Sequence, residues 1–200
     1  MATTAERVRE LRDKTGAGVM DCKEALAASG DDLEKAVDYL RRKGVASAAK
    51  RAHREAREGA IGSYVHHTGK LGVLLEVNCE SDFVARTEHF QELVRNLAMQ
   101  VASANPTWVS REDVPAEAIE REKAIYRQQL AEQKKPPQVV EKIIEGKLGK
   151  FFEDTCLLEQ PYQRDATGKT RVRDLVHEVS AKTGEKIAVR RFVRYQVGSD

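Results

Sequence analysis

Ile61-Gly62-Ser63-Tyr64-Val65-His66-His67, then Thr68-Gly69-Lys70, then Leu71-Gly72-Val73-Leu74-Leu75-Glu76-Val77-Asn78-Cys79 read in that order as strand, turn and strand. The Gly-containing turn between two such runs is the signature of a β-hairpin, and the second run is rich in β-formers. Past the hairpin the period becomes helical. From Glu88 to Ala104, Phe90, Leu93, Val94, Leu97 and Val101 form one stripe, which Asn105-Pro106 ends. Pro115 suits a helix start, followed by a highly charged stretch over 117–133 whose apolar face is Ile119, Ile125, Tyr126 and Leu130, broken at Lys134-Lys135-Pro136-Pro137. Val139, Val140, Ile143, Ile144 and Leu148 begin another amphipathic helix running toward Phe151-Phe152. Thr170 is placed to cap one bearing Val172, Leu175, Val176 and Val179, stopped by Thr183-Gly184. The chain ends in a strand. Over 186–197, Ile187, Val189, Val193, Tyr195 and Val197 alternate on a side expected to be buried, with Arg190, Arg194 and Gln196 on the other. One hairpin and one further strand packed by several helices define an α+β fold with a small antiparallel sheet. Such a sheet has two open edges, which natural proteins usually cover, so self-association is expected.

Outward on the other side, the first 44 residues read as a three-helix module. Thr3 or Thr4 caps a first helix carrying Val8 and Leu11, ended by Thr15-Gly16-Ala17-Gly18. Asp21 caps a second with Cys22, Ala25, Leu26 and, at its end, Ala28 on the inward face, stopped at Gly30. Asp31 or Asp32 caps a third with Leu33, Ala36, Val37 and Leu40, and Gly44 closes it. So few residues make a marginal core, and the module is best suited to docking. Between Arg41 and Arg57, Arg41, Arg42, Lys43, Lys50, Arg51, Arg54 and Arg57 face a single acid, Glu55, the sharpest charge asymmetry in the chain. Such a run is read as a solvated helical face or as a nucleic-acid contact. The organisation expected is a docking module over 1–44, a basic helical linker over 45–58, an α+β core for dimerisation and exchange over 59–197, and a tail over 198–200.

Composition narrows the function. The 200 residues carry 34 Lys+Arg against 32 Asp+Glu, so the formal charge is only +2 and a generic polyanion binder is disfavoured. A 40% hydrophobic content supports a folded core rather than disorder. No apolar run approaches the ~20 residues that span a bilayer, and the acidic N-terminus resembles neither a signal nor a transit peptide, so a cytoplasmic location is expected. Cys22, Cys79 and Cys156 are odd in number, scattered and apolar in setting, which predicts free buried thiols.

Catalytic signatures are missing. Thr167-Gly168-Lys169-Thr170 looks like the end of a phosphate loop, but Gln163 stands where the required glycine would be. No Gly-x-Gly-x-x-Gly, Gly-x-Ser-x-Gly or Cys-x-x-Cys occurs. Adjacent strand residues point to opposite faces, so His66 and His67 are not expected to share a metal with Cys79. Glu76, Glu80 and Asp82 would raise the Cys79 pKa rather than activate the thiol. No catalytic residue, metal or cofactor is expected.

Glu80-Ser81-Asp82-Phe83-Val84, directly after a strand, is the unusual feature. In one reading Ser81 or Asp82 caps a turn and Phe83 enters the core. In the other, Phe90 already anchors the helix stripe, and Phe83 projects as a partner hot spot beside a charge.

Two stretches, Leu11-Arg12-Asp13-Lys14-Thr15-Gly16-Ala17-Gly18-Val19-Met20-Asp21-Cys22-Lys23-Glu24-Ala25-Leu26 and Glu76-Val77-Asn78-Cys79-Glu80-Ser81-Asp82-Phe83-Val84-Ala85-Arg86, closely resemble the signature segments of the bacterial elongation factor Ts family. The resemblance extends through residues 31–40, Tyr64-Val65-His66 and the terminal Arg191-Phe192-Val193-Arg194-Tyr195. Ser81 stands where the family usually has Thr, which keeps the hydroxyl. The resemblance implies a guanine-nucleotide exchange factor for elongation factor Tu, not an enzyme, with a module like a ubiquitin-associated domain. It implies partner contacts at Leu11, Arg12, Thr15, Gly16, Gly18, Val19 and Met20. It places magnesium dislocation at Asp82 and Phe83, flanked by Ser81 and Val84, and phosphate-loop disturbance at His66. The chain looks like the short form, in which a homodimer would supply a second core, with no direct nucleic-acid contact. Two other functions fit parts of the chain: a ubiquitin- or peptide-binding adaptor resting on 1–44, and an RNA-associated factor resting on 41–57.

Overall fold

The computed structural model describes residues 4–131 and 136–199. The expectations placed on Thr3, on Glu132 to Lys135 and on Asp200 lie outside the described residues. The element order is α1 (Thr4–Thr15), α2 (Val19–Ala28), α3 (Leu33–Arg51), β1 (Glu58–Val65), β2 (Leu71–Cys79), α4 (Asp82–Ala85), α5 (Glu88–Ala104), α6 (Ala116–Ala131), α7 (Pro137–Thr155), α8 (Val172–Thr183) and β3 (Ala188–Gln196), with short 3-10 turns before α6 and after α7. The three strands form one antiparallel sheet in the order β1-β2-β3, so the expected α+β class holds. The chain divides into two compact units. One comprises Met1–Ile61, Glu76–Val94 and Asp174–Val189; the other comprises Gly62–Leu75, Arg95–Arg173 and Arg190–Asp200.

In the first unit, α1 to α3 bury Val8, Leu11, Cys22, Ala25, Leu26 and Ala36, with Leu33, Val37 and Leu40 packed against them. Two local signals act differently from their sequence reading. Gly18, with extended backbone, is the residue that starts α2, so Asp21 falls inside the first turn and accepts a 2.8 Å hydrogen bond from Lys43 Nζ instead of capping. Asp31 adopts positive φ, and Asp32 caps α3 by accepting from the Lys35 N–H. Gly44 does not close α3, which runs unbroken to Arg51. A glycine inside a helix costs only about 0.5–1 kcal/mol, and the alanine-rich run behind it restores propensity. α3 is also held along α8: Arg41 pairs with Asp174, the Arg51 guanidinium donates to the Ser180 carbonyl, and Gly44 lies beside Ala181.

In the second unit, α6 and α7 close on Leu130, Ile144 and Leu148, with Ile119, Tyr126, Val140, Ile143 and Phe152 alongside. Ile125 and Val139, expected on the apolar faces, are exposed instead. Glu159 is buried, and Arg111 and Arg173 neutralise it at 2.6 and 2.8 Å. α8 begins at Val172, two residues past Thr170, whose backbone N–H is bound to the Asp165 carboxylate, so Thr170 does not act as the cap.

The last strand keeps the expected burial at its start, where Ile187 is buried, Val189 half-buried and Arg190 exposed, and departs from it further along. The hydrogen bond from the Val197 N–H to the Lys70 carbonyl sets a register in which Val193 lies across from Leu74. Val193, Tyr195 and Val197 share one side as predicted, but that side is exposed, Tyr195 by 70%. The opposite side carries half-buried Phe192 and Arg194, and the Arg194 guanidinium donates to the Ala102 carbonyl at the end of α5. An arginine stem covers apolar surface while its head finds a carbonyl, so arginine takes the inner face.

Candidate functional site

β2 ends at Cys79, and the chain turns at once into α4. Ser81 has extended backbone, and its hydroxyl oxygen accepts from the Val84 N–H at 3.3 Å, capping the single helical turn. A turn this short has two sides with opposite fates. Val84 and Ala85 are buried, while Asp82 is exposed and Phe83 is 77% exposed. Of the two readings open in the sequence, the projecting Phe83 is the one observed, and Phe90 is the fully buried anchor. Val84, grouped with the partner-facing residues on the resemblance, points inward and holds the turn down. The Asp82 carboxylate accepts from Arg86 at 2.6 Å, an exposed pair one helical turn apart. Such pairs contribute about 0.3–0.5 kcal/mol, so little opposes the release of Asp82 toward another cation.

The approach to this turn is bound from several directions. The Glu185 carboxylate accepts from the N–H groups of Glu80 and Ser81, both at 3.0 Å, and from the Ser81 hydroxyl at 2.6 Å. Glu80 in turn accepts from the Lys186 N–H at 2.6 Å and from Arg54 at 3.2 Å. The Lys186 ammonium donates to the carbonyls of Ala52 and Arg54. The Lys186 N–H, with Arg54 adding to it, holds the Glu80 carboxyl below the ordinary glutamate range despite the opposing effect of burial. Beneath, the Cys79 thiol donates to the Ser81 carbonyl. Burial pushes that thiol up to about 11, with Glu185 and then Glu58 adding to the rise. Its direction agrees with the sequence reading, but Glu76, Glu80 and Asp82 are not the acids responsible. All three cysteines are free and buried.

In the N-terminal helices, Leu11 is fully buried in the module's own core and offers no surface, which corrects its place among the contact residues. Thr15 is half-buried, its hydroxyl donating to the Leu11 carbonyl. Arg12, Gly16, Gly18, Val19 and Met20 are exposed, Met20 by 73%. Gly16 has φ of 66°, and a Cβ there would meet the Lys182 side chain of α8 at 2.5 Å. The positive φ is what favours glycine at this position, since the end of the Lys182 side chain is free to move aside.

His66 follows β1 in the second unit. It is half-buried, its Nδ1 shares a 2.9 Å hydrogen bond with the Tyr64 hydroxyl, and its N–H donates to the Leu71 carbonyl across the hairpin. His67 already lies in the turn, so the two rings are not on opposite faces of a strand; their centroids are 4.1 Å apart. Among the described residues no three His, Cys, Asp or Glu side chains are grouped to hold a metal, and no helix is long and apolar enough to cross a membrane.

The basic run over 41–57 is largely engaged inside the first unit. Besides Arg41, Arg51 and Arg54, Lys43 bonds Asp21 and Glu24 and Arg57 bonds Glu55. The sequence reading missed Glu185 and Lys186. A lone acid between a helix stop and a strand carries no periodic signal, and only its fold neighbours give it meaning.

Known proteins resemble this chain over nearly its whole length. Residues 23–199 match the family model described as Elongation factor TS. The chain is 57% identical over 198 residues to elongation factor Ts of Fervidobacterium nodosum, covering 99% of this chain and 100% of the relative. It is 58% identical over 198 residues to elongation factor Ts of Thermodesulfovibrio yellowstonii, with 99% and 98% covered. With elongation factor Ts of Nitratidesulfovibrio vulgaris it shares 54% identity over 200 residues, with 100% and 99% covered.

Proposed function

The chain belongs to the elongation factor Ts family, and on that premise we propose that it is a cytoplasmic guanine-nucleotide exchange factor for elongation factor Tu in translation, acting without making or breaking a bond. The observation that carries the reading is Phe83, a large aromatic held 77% exposed beside Asp82 on a capped turn. Holding an apolar ring in water is unfavourable by itself, and it makes physical sense as a wedge for another protein.

Exchange follows from linkage. A factor that binds nucleotide-free partner more tightly than loaded partner must weaken nucleotide binding by the same factor. Magnesium demands near-ideal octahedral oxygen geometry and tolerates little displacement of its ligands. Phe83 acts as the wedge that shifts the groups around the partner's magnesium site, and Asp82, released from Arg86, orients or repels groups near the ion. Ser81 and Val84 hold the turn that presents them. The surface of residues 1–44 at Arg12, Thr15, Gly16, Gly18, Val19 and Met20 docks on the partner's nucleotide-binding domain, and His66 disturbs its phosphate loop. Residues 59–197 serve dimerisation and exchange. A homodimer is supported by the exposed outer face of Val65, Leu74, Val193, Tyr195 and Val197 on the sheet, a contiguous apolar surface of the sort that a second copy covers.

The test is release of a fluorescent GDP analogue from purified elongation factor Tu. Wild-type chain accelerates release, and Phe83→Ala loses more of that acceleration than of docking affinity. Equal losses in both would overturn the wedge. Asp82→Asn lowers the rate with the fold intact, and an unchanged rate would remove its electrostatic role.

A further inference from the structure

Asp82 and Phe83 are exposed, so no packing of their own side chains fixes the direction in which they project. Their direction is set by the backbone on either side. We infer that Glu185 is the positioning residue of the exchange turn, holding the peptide that precedes α4 so that Phe83 is presented in one orientation; this rests on the reading of Phe83 as the working wedge.

One Glu185 oxygen takes two consecutive N–H groups, those of Glu80 and Ser81, and the other takes the Ser81 hydroxyl. Consecutive N–H groups converging on one anion form a nest, a well-defined concavity. The hydroxyl contact also fixes polarity. An ionised carboxylate only accepts, so Ser81 must give it the proton and turn its lone pairs to the Val84 N–H. A relay therefore runs from Glu185 through the Ser81 hydroxyl to the Val84 amide, and Asp82 and Phe83 lie between its two backbone ends.

Glu185 is itself anchored. Gly184 ends α8 with φ of 73°, the Ser180 hydroxyl donates to the Glu185 carbonyl at 2.6 Å, and the adjoining Lys186 N–H is taken by Glu80. Glu80 and Lys186 on one side and Ser81 and Glu185 on the other are thus tied reciprocally. Charge-assisted contacts of this kind are shorter and stronger than neutral ones, which suits a hinge that must not yield when Phe83 meets resistance.

The experiment measures the limiting rate and the half-saturating concentration for release of the GDP analogue from elongation factor Tu, using full-length chains. Glu185→Ala is expected to lower the limiting rate about tenfold with less than about a twofold change in half-saturation, the pattern of a transition-state rather than a docking defect. Glu185→Gln, which keeps an acceptor and the side-chain volume, gives an intermediate loss and stands in if Glu185→Ala folds poorly. The double variant Phe83→Ala with Glu185→Ala is no slower than Phe83→Ala alone, because both act on one element. Hydrogen exchange on the free chain shows the Glu80, Ser81 and Val84 amides losing protection while α5 keeps its own. Unchanged limiting rates in both Glu185 variants, or a full additional loss in the Phe83→Ala background, would overturn the inference. Failure of the wild-type chain to accelerate release would instead defeat the exchange reading and this inference with it.

Discussion

Phe83 and Phe90 lie on one short stretch and do opposite things. Phe90 is fully buried, so Phe90→Ala should cost about 3–5 kcal/mol of stability in urea unfolding, the usual range for removing a core aromatic. Phe83→Ala should stay within about 0.5 kcal/mol, because the ring already stands in water. A large destabilisation by Phe83→Ala would mean that the ring serves the fold. The Cys79 thiol, raised to about 11 by burial and then Glu185, is protonated throughout the neutral range, so a thiol reagent should leave it unmodified until the chain unfolds. Phe90 was legible in the sequence because it begins a helical stripe. Phe83 was not, because a single turn has no period, and only the cap geometry at Ser81 decides which side faces out. Leu11 and Val84 mislead for the converse reason: a signature segment contains the residues that build a surface as well as those that form it.

At the scale of elements, glycine separates what could be read from what could not. Gly44 looked like a stop, yet it has room for a Cβ, the nearest atom being Ala181 Cβ at 3.7 Å. Gly44→Ala should therefore raise stability by about 0.5–1 kcal/mol, measured as an increased denaturation midpoint at unchanged slope. Gly59→Ala should do the opposite, since φ is 147° and the new Cβ would sit 2.1 Å from the Val77 carbonyl. The hairpin, α5 and the terminal strand were legible from period alone. The burial of β3 was not, because alternation identifies two faces without saying which one meets the core, and Arg194 takes the inner place. The junction between β2 and α4 is also sensitive to acid. The depressed pKa of Glu80 means that its contribution is complete above the ordinary glutamate range and is lost as pH falls through the lower folded value. Glu80→Gln should flatten the acid limb of the stability profile, and an unchanged limb would show that the Lys186 and Arg54 contacts do not matter to folding.

At the scale of the molecule, the outer face of the sheet bears on how many chains work together. The face of Leu74, Val193 and Tyr195 predicts a dimer by sedimentation, and Tyr195→Lys with Leu74→Lys should give a monomer with unchanged helical circular dichroism. A dimer that survives both changes would place the interface elsewhere. The overall charge is only +2, and Arg41, Lys43 and Arg54 of the basic 41–57 run are paired with acids of the first unit.

The unbroken course of α3 decides how the protein can be taken apart. A fragment ending at residue 44 would saw a helix through its middle, expose carbonyls that the next turn satisfies, and discard the Arg51 grip on Ser180. The three-helix module is thus not a portable cassette. A chimera that borrows it from a relative must carry α3 to its end together with the α8 surface that receives it, and a truncation at residue 44 would measure the damage to that seam rather than the affinity of the module.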